Sequence, residues 1–450
     1  MSNIQDNTLY YKTLRFFVSF PYKRFFRQIE IRGTDHIPYG DPVIFAANHQ
    51  SALLDALAIL FFQKRPVVFM ARADMFQNKI AAKFLKSLKI APIYRIRDGF
   101  ENLTKNETQM DVAVNVLLDC GQMCLMPEGN HGNQHKLRPL VKGLFRIAYS
   151  AEERLKDKAH VKIIPVGIDY NFYRHAGADL VVTYGKPIEV KDYIDLFKDS
   201  NANGLNIIRN TLEAAISSLM HDIRSTSHYE DIYDLCCLGT PAYLEVLLEN
   251  EAETEATTVA GLRFDARRSL GMMLDKVEME NPTQFSEWNA LCGKLRTLPG
   301  SPAEISEWMD EKRGVGYSVV LAILSILLIP GFLLNLPAWL MSRLISKGME
   351  DTQMRSTFSF VLGMFMNAFV YIMAALLIGS VMQATLIQSV CVLFFLFCLG
   401  VVSERARQSL RIPLRRWWYS FGSRKTQLEA CKKDYEQLKE SLKNFLRKDL

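Results

Sequence analysis

Apolar positions change their rhythm several times along this chain. Between Ile31 and about Tyr184, short runs rich in Val and Ile alternate with stretches in which apolar residues recur every three or four positions. An uninterrupted apolar run bounded by Pro, Gly or polar clusters predicts a strand buried on both faces; the longer periodic stretches predict helices that cover it. Strands are predicted at 42–47, 66–71, 123–126, 161–166 and 180–184, and helices at 51–62, 76–88 and 108–118. Strands alternating with helices imply an α/β fold, a mostly parallel sheet flanked by helices, over residues 30–199. Residues 200–312 read as helices with polar breaks, including the acidic stretch from Glu249 to Glu255, and carry no recognisable chemistry.

A different pattern begins near residue 313. Gly314 to Ser342 contains no charge, and neither does Ser356 to Ser403. About 20 apolar residues cross a hydrocarbon core of ~30 Å, so the second stretch is long enough for two passes with a turn near Ser380 to Thr385. Pro330, Gly331 and Pro337, with cationic residues on both flanks, favour a re-entrant or interfacial element for the first stretch over a straight crossing. Two crossings would leave the preceding chain and the C-terminal tail on one side, the cytoplasmic side by the positive-inside rule. From Leu428 the spacing of Cys431, Tyr435, Leu438, Leu442 and Phe445 predicts an amphipathic helix that packs on the chain or lies on a membrane.

The expected organisation is therefore an interfacial aromatic and basic segment (1–29), the α/β domain (30–199), a helical middle (200–312), a membrane region (313–403), and a basic aromatic band with its terminal helix (404–450). The 450 residues exceed one ordinary core. A formal charge of +6 matters less than its placement: Arg405, Arg407, Arg411, Arg415 and Arg416 precede Trp417, Trp418 and Tyr419, a composition suited to anionic headgroups. No nucleic-acid-binding module is visible, so nucleic acid is not an expected partner. The eight cysteines show no disulfide framework or paired metal spacing. Phe16, Phe17, Phe20, Tyr22, Phe25 and Phe26, punctuated by cations, fit either a membrane interface or packing on the next domain.

Candidate chemistry concentrates in four blocks. Ala46-Ala47-Asn48-His49-Gln50-Ser51-Ala52-Leu53-Leu54-Asp55 places a histidine where a strand ends and a carboxylate inside the next helix. That is the layout of a general base and its orienting acid. Ile93-Tyr94-Arg95 follows, then Leu125-Met126-Pro127-Glu128-Gly129, trailed by Lys136, Arg138 and Pro139-Leu140-Val141-Lys142-Gly143. The last block is Ile163-Ile164-Pro165-Val166-Gly167. In this order the blocks resemble the glycerolipid acyltransferase family, which moves fatty acyl groups from a thioester to glycerol 3-phosphate or its lyso-lipids.

The resemblance implies that His49 is the base, Asp55 its partner, and Arg95 a phosphate ligand with Arg97 as substitute. It further implies a role for Glu128 in acceptor binding, where a carboxylate beside phosphate contacts a hydroxyl or an arginine, and for Gly129 in the turn. Lys136 and Arg138 are expected to bind phosphate or to ring the site. Five residues separate His49 from Asp55, where most of the family has four; the extra one is expected in the turn before the helix, with Ser51 capping that helix. His131 and His135 are four apart, but Gly132 and Asn133 predict a loop and no third ligand is evident, so no metal is expected. No cofactor is expected beyond the acyl donor, acyl-CoA or an acyl carrier protein, with membrane lipids as partners. The expected reaction is acyl transfer to 1-acylglycerol 3-phosphate or glycerol 3-phosphate. The rival readings are another lysolipid as acceptor, or a noncatalytic membrane scaffold.

Overall fold

The computed structural model describes residues 4–93, 103–156, 158–172, 176–250, 254–310, 320, 323, 325–349, 354–419 and 423–449. The chain divides into two compact units. The first holds Met1–Arg24, Ile29–Tyr170 and Leu180–Asp222; the second holds Phe25–Gln28, Asn171–Asp179 and Ile223–Leu450.

The elements of the first unit begin with α1 (Leu9–Phe25), β1 (Gln28–Arg32), β2 (Val43–Ala47), α2 (Ala52–Leu60), β3 (Val67–Arg72), α3 (Lys79–Ser87) and β4 (Ile90–Ile93). They continue with α4 (Leu103–Leu118), β5 (Gln122–Leu125), α5 (Gly143–Leu155), β6 (Lys162–Tyr170), β7 (Asp179–Tyr184), β8 (Ile188–Glu189), α6 (Ile194–Asp199) and α7 (Asn201–Leu219). The sheet order is β1-β7-β6-β2-β5-β3-β4, with β8 also on β6. Strands β6, β2, β5, β3 and β4 run parallel, whereas β7 and β8 are antiparallel to β6. The mostly parallel sheet expected from the apolar runs is present. Its central strand β2 is buried at every residue, because neighbours and helices cover both of its faces. Val114 and Leu117 of α4, Phe145 and Ala148 of α5, and Leu212 and Ile216 of α7 close one core over Ile44, Met123 and Ile163.

Parallel strands all send their C-terminal ends to the same edge, which is where open α/β sheets bind ligands. His49 follows β2 and Glu128 follows β5 at that edge.

The second unit is helical: α8 (Tyr229–Glu249), α9 (Val259–Glu280), α10 (Pro282–Leu295), α11 (Pro302–Met309), α12 (Ile329–Lys347), α13 (Met354–Val381), α14 (Leu386–Trp418) and α15 (Ser423–Asp449). Local chemistry sets several starts. Ser301 and Glu304 form a reciprocal capping box at α11 with Pro302 in its first turn, and Thr258 and Asn281 cap α9 and α10. Helix α15 packs its apolar stripe of Leu428, Cys431, Tyr435, Leu438 and Leu442 into a core with Leu235, Leu270 and Trp288. Of the two fates open to the predicted amphipathic helix, it packs on the chain.

Among the described residues two helices, Met354–Val381 and Leu386–Leu410, are long and apolar enough to cross a membrane, and both are mostly uncovered by the rest of the chain. At ~1.5 Å per residue, the first reaches about 42 Å, beyond a ~30 Å hydrocarbon core. Both support membrane association. Small residues bring α12, α13 and α14 together: a Cβ on Gly400 would meet the Tyr371 hydroxyl at 2.1 Å, and one on Gly331 the Leu399 carbonyl at 2.8 Å. Asn335 donates to the Gly400 carbonyl at 2.8 Å and accepts from the Tyr371 hydroxyl, so its amide is satisfied between the helices. Three arginines of the basic band have protein partners. Arg405 donates to the Phe26 carbonyl at 2.9 Å, Arg407 pairs with Glu404, and Arg415 pairs with Glu304 at 3.2 Å.

Candidate active site

The site begins where β2 runs out. Asn48, fully buried, clasps the Ile168 peptide of β6: its amide nitrogen donates to the Ile168 carbonyl at 2.9 Å, and its oxygen accepts the Ile168 N–H at 2.7 Å. This fixes the backbone one residue before His49. From there the chain turns without helix through Gln50 and Ser51, and α2 starts at Ala52. Asp55, four residues beyond Ser51, curls its carboxylate back over that turn.

One Asp55 oxygen accepts from His49 Nδ1 at 2.8 Å, from the Gln50 N–H at 2.8 Å and from the Ser51 N–H at 2.7 Å. The other accepts from the Tyr170 hydroxyl at 2.7 Å. Four donors offset the burial of a carboxylate that has no solvent exposure. A carboxylate can only accept, so Nδ1 of His49 carries the proton and Nε2 is the nitrogen that can take another. The histidine side chain is 16% exposed while Asp55 is sealed, as a base and its buried orienting acid require. The longer spacing is accommodated as expected: Gln50 and Ser51 form a turn whose two amides bind the carboxylate. Ser51 does stand at the N-cap, but its hydroxyl makes no cap hydrogen bond, because Asp55 supplies the anionic acceptor at the helix start.

Glu128 stands behind the histidine. Its side chain is 3% exposed; one oxygen accepts the His49 N–H at 2.6 Å and the other accepts Arg138 Nε at 2.7 Å. Burial raises the Glu128 carboxyl above its ordinary range, and the Arg138 charge with the hydrogen bonds from His49 and Arg138 pulls it partly back. Arg138 also donates to the carbonyls of Asn130, His131 and His49, the second at 2.9 Å and the third at 3.4 Å. Of the two expectations for Arg138, the geometry matches the one that rings the site: its fork ties the loop to the histidine backbone. Gly129 turns that loop at φ +71°, a left-handed conformation that suits glycine, and its N–H reaches the Met126 carbonyl at 3.1 Å. Lys136 lies half-buried in the same loop. Arg95 and Arg97 lie outside the described residues.

Three contributors escaped sequence reasoning. Tyr170 sits at the end of β6, four residues past the predicted end of that strand at 166. Carrying the strand on through Ile168 and Tyr170 would have brought it to the sheet edge. Asn48 was hidden in plain view beside His49. His131 approaches His49 edge-on, ring centres 5.6 Å apart, through a loop whose path has no local signal. Burial raises the thiol of Cys124, on β5, far from the range of a nucleophile. The arrangement thus offers an oriented general base at a sheet edge, able to activate a hydroxyl against an ester or thioester.

The crystal structure of the 1-acyl-sn-glycerophosphate acyltransferase PlsC from Thermotoga maritima is similar at 18% identity and a TM-score of 0.35, over 46% of this chain and 79% of that one. Among curated proteins no match is found. The family model named Acyltransferase matches residues 28–169, a span that holds His49, Asp55, Glu128 and Arg138. That segment, which carries His49 and the buried Asp55 at the mouth of the parallel strands, is the part of the chain that matches the acyltransferase family model.

Proposed function

We propose that this protein is a membrane-bound O-acyltransferase that transfers a fatty acyl group from a thioester, on coenzyme A or an acyl carrier protein, to the hydroxyl of 1-acylglycerol 3-phosphate or glycerol 3-phosphate. The observation that carries this reading is the 2.8 Å bond from His49 Nδ1 to a fully buried Asp55 at the sheet edge. Nε2 of His49 takes the hydroxyl proton as the oxygen attacks the thioester carbonyl. The tetrahedral intermediate collapses by breaking the C–S bond, and the imidazolium returns its proton to the thiolate. Asp55 steadies the imidazolium in between. No enzyme nucleophile is needed, since the thioester is already activated.

The acceptor phosphate needs cations. Arg95 and Lys136 are the proposed ligands, and Arg138 contributes through the loop it holds. The two apolar helices support a membrane location, and the cationic flanks at Arg355 and beyond Val402 support a cytoplasmic catalytic domain.

The test is acyl transfer by the purified protein against lysophosphatidate, glycerol 3-phosphate and lysolipids with larger headgroups. We expect His49→Ala and Asp55→Asn each to lower kcat by about 10²–10⁴-fold while the protein stays folded. Wild-type turnover in His49→Ala would eliminate the mechanism and favour a scaffold.

A further inference from the structure

Outside the acyl-transfer constellation, the first unit gathers a second set of chemically able side chains. His135 comes from the loop between β5 and α5, Asp169 from β6, and His221 from the chain just past α7. They are 34 and 52 residues apart in sequence, yet one ligand atom from each lies within 4.8 Å of the others. Exposure is 1% or less at all three. His135 Nδ1 and an Asp169 oxygen are 3.1 Å apart, and the His135 and His221 rings are 5.0 Å between centres.

We propose that His135, Asp169 and His221 form a binding site for a divalent transition-metal ion of the zinc class. Two imidazoles and a carboxylate suit such an ion and disfavour magnesium or calcium, which prefer all-oxygen shells. A tetrahedral ion with bonds of about 2.0–2.1 Å has ligand edges of roughly 3.4 Å, close to the His135–Asp169 edge. A fourth position is completed by water or by the second oxygen of Asp169.

The backbone is shaped to make the meeting possible. A Cβ on Gly167 would meet the Leu219 carbonyl at 2.1 Å, so the end of α7 lies directly on β6 because residue 167 lacks a side chain. That approach delivers His221 to Asp169, two residues further along β6. Beside it, the Leu137 N–H donates to Asp222 at 2.9 Å, anchoring the His135 loop to the same stretch of chain. With all three ligands at most 1% exposed, the ion serves to hold the fold together. The ion clamps to β6 and α7 the loop whose other end Arg138 ties to His49. It balances the buried Asp169 charge.

Metal analysis of the full-length protein, purified without a histidine tag, stripped with a chelator and reloaded with Zn²⁺, tests the site. The wild type is expected to retain a single ion per chain, as are His49→Ala and His131→Ala. The His135→Gln/His221→Gln double variant is expected to lose it. Co²⁺ bound to the wild type should give the visible absorption of a tetrahedral nitrogen and oxygen site, and Zn²⁺ should raise the thermal midpoint of the stripped protein. The last two readouts need no variant and decide the matter if the double variant does not fold. Failure of the wild type to retain Zn²⁺, or an unchanged midpoint with no cobalt band, would overturn the proposal in favour of a metal-free hydrogen-bonded triad. Loss of the ion from His131→Ala would overturn it too.

Discussion

Tyr170 shows how one hydroxyl sets a carboxylate. It bonds the Asp55 oxygen that His49 does not use, and both residues are almost wholly buried. In Tyr170→Phe that oxygen loses its donor inside the protein. A hydrogen bond to a charged group is worth about 1.5–3 kcal/mol, so denaturant unfolding should show a loss of that size. Turnover should fall less than in Asp55→Asn, since the His49, Gln50 and Ser51 donors remain; equal losses would deny Tyr170 a positioning role. At this scale the pairing of His49 with Asp55 was legible, because both lie in one short run. The His135, Asp169 and His221 grouping was not. Spacing drew His131 and His135 together, whereas the fold sets His135 beside residues 34 and 86 positions away.

At the scale of elements, periodicity carried the central strands because a sheet covered on both faces demands uninterrupted apolar runs. It stopped β6 at residue 166 and missed β1 (Gln28–Arg32), whose charged Glu30 and Arg32 pair with each other at 2.6 Å. Charge patterns were legible as charges but not as pairs. Arg405 and Arg415 looked reserved for headgroups, yet partners at Phe26 and Glu304, far off in sequence, hold them. Helix α15 has a comparable anchor. Lys439 and Lys443 bond Glu245 of α8 at 2.7 and 3.1 Å. Burial works against the Glu245 charge, but these two lysines outweigh it and hold the carboxyl below its ordinary 4.5. The stabilisation is therefore complete above pH 4.5 and is lost as pH falls through the lower folded value. Hydrogen exchange should show α15 amides opening faster in acid, and Glu245→Gln should flatten that dependence. An unaltered pH profile in Glu245→Gln would place the acid sensitivity elsewhere.

For the whole molecule, two crossings by α13 and α14 would set the sidedness of the chain. The turn joining them lies between Val381 and Leu386. In sealed vesicles, a membrane-impermeant label should reach a cysteine placed at Ala384 from the face opposite to one placed at Arg424, with native cysteines replaced beforehand. Labelling of both from one face would rule out two crossings. The hydropathy of these helices was plain in the sequence; what helix α15 would pack against was not, since its partners lie about 150 to 200 residues upstream. Tyr435, Leu438 and Leu442 complete the interior that Leu235, Leu270 and Trp288 begin, and the Trp288 indole donates to Ser441 at 2.9 Å. During synthesis, then, helices α8 to α10 leave the ribosome with an unfinished interior and must wait for α15, which is translated after both apolar helices. A nascent chain halted before α15 would leave that interior open to chaperones.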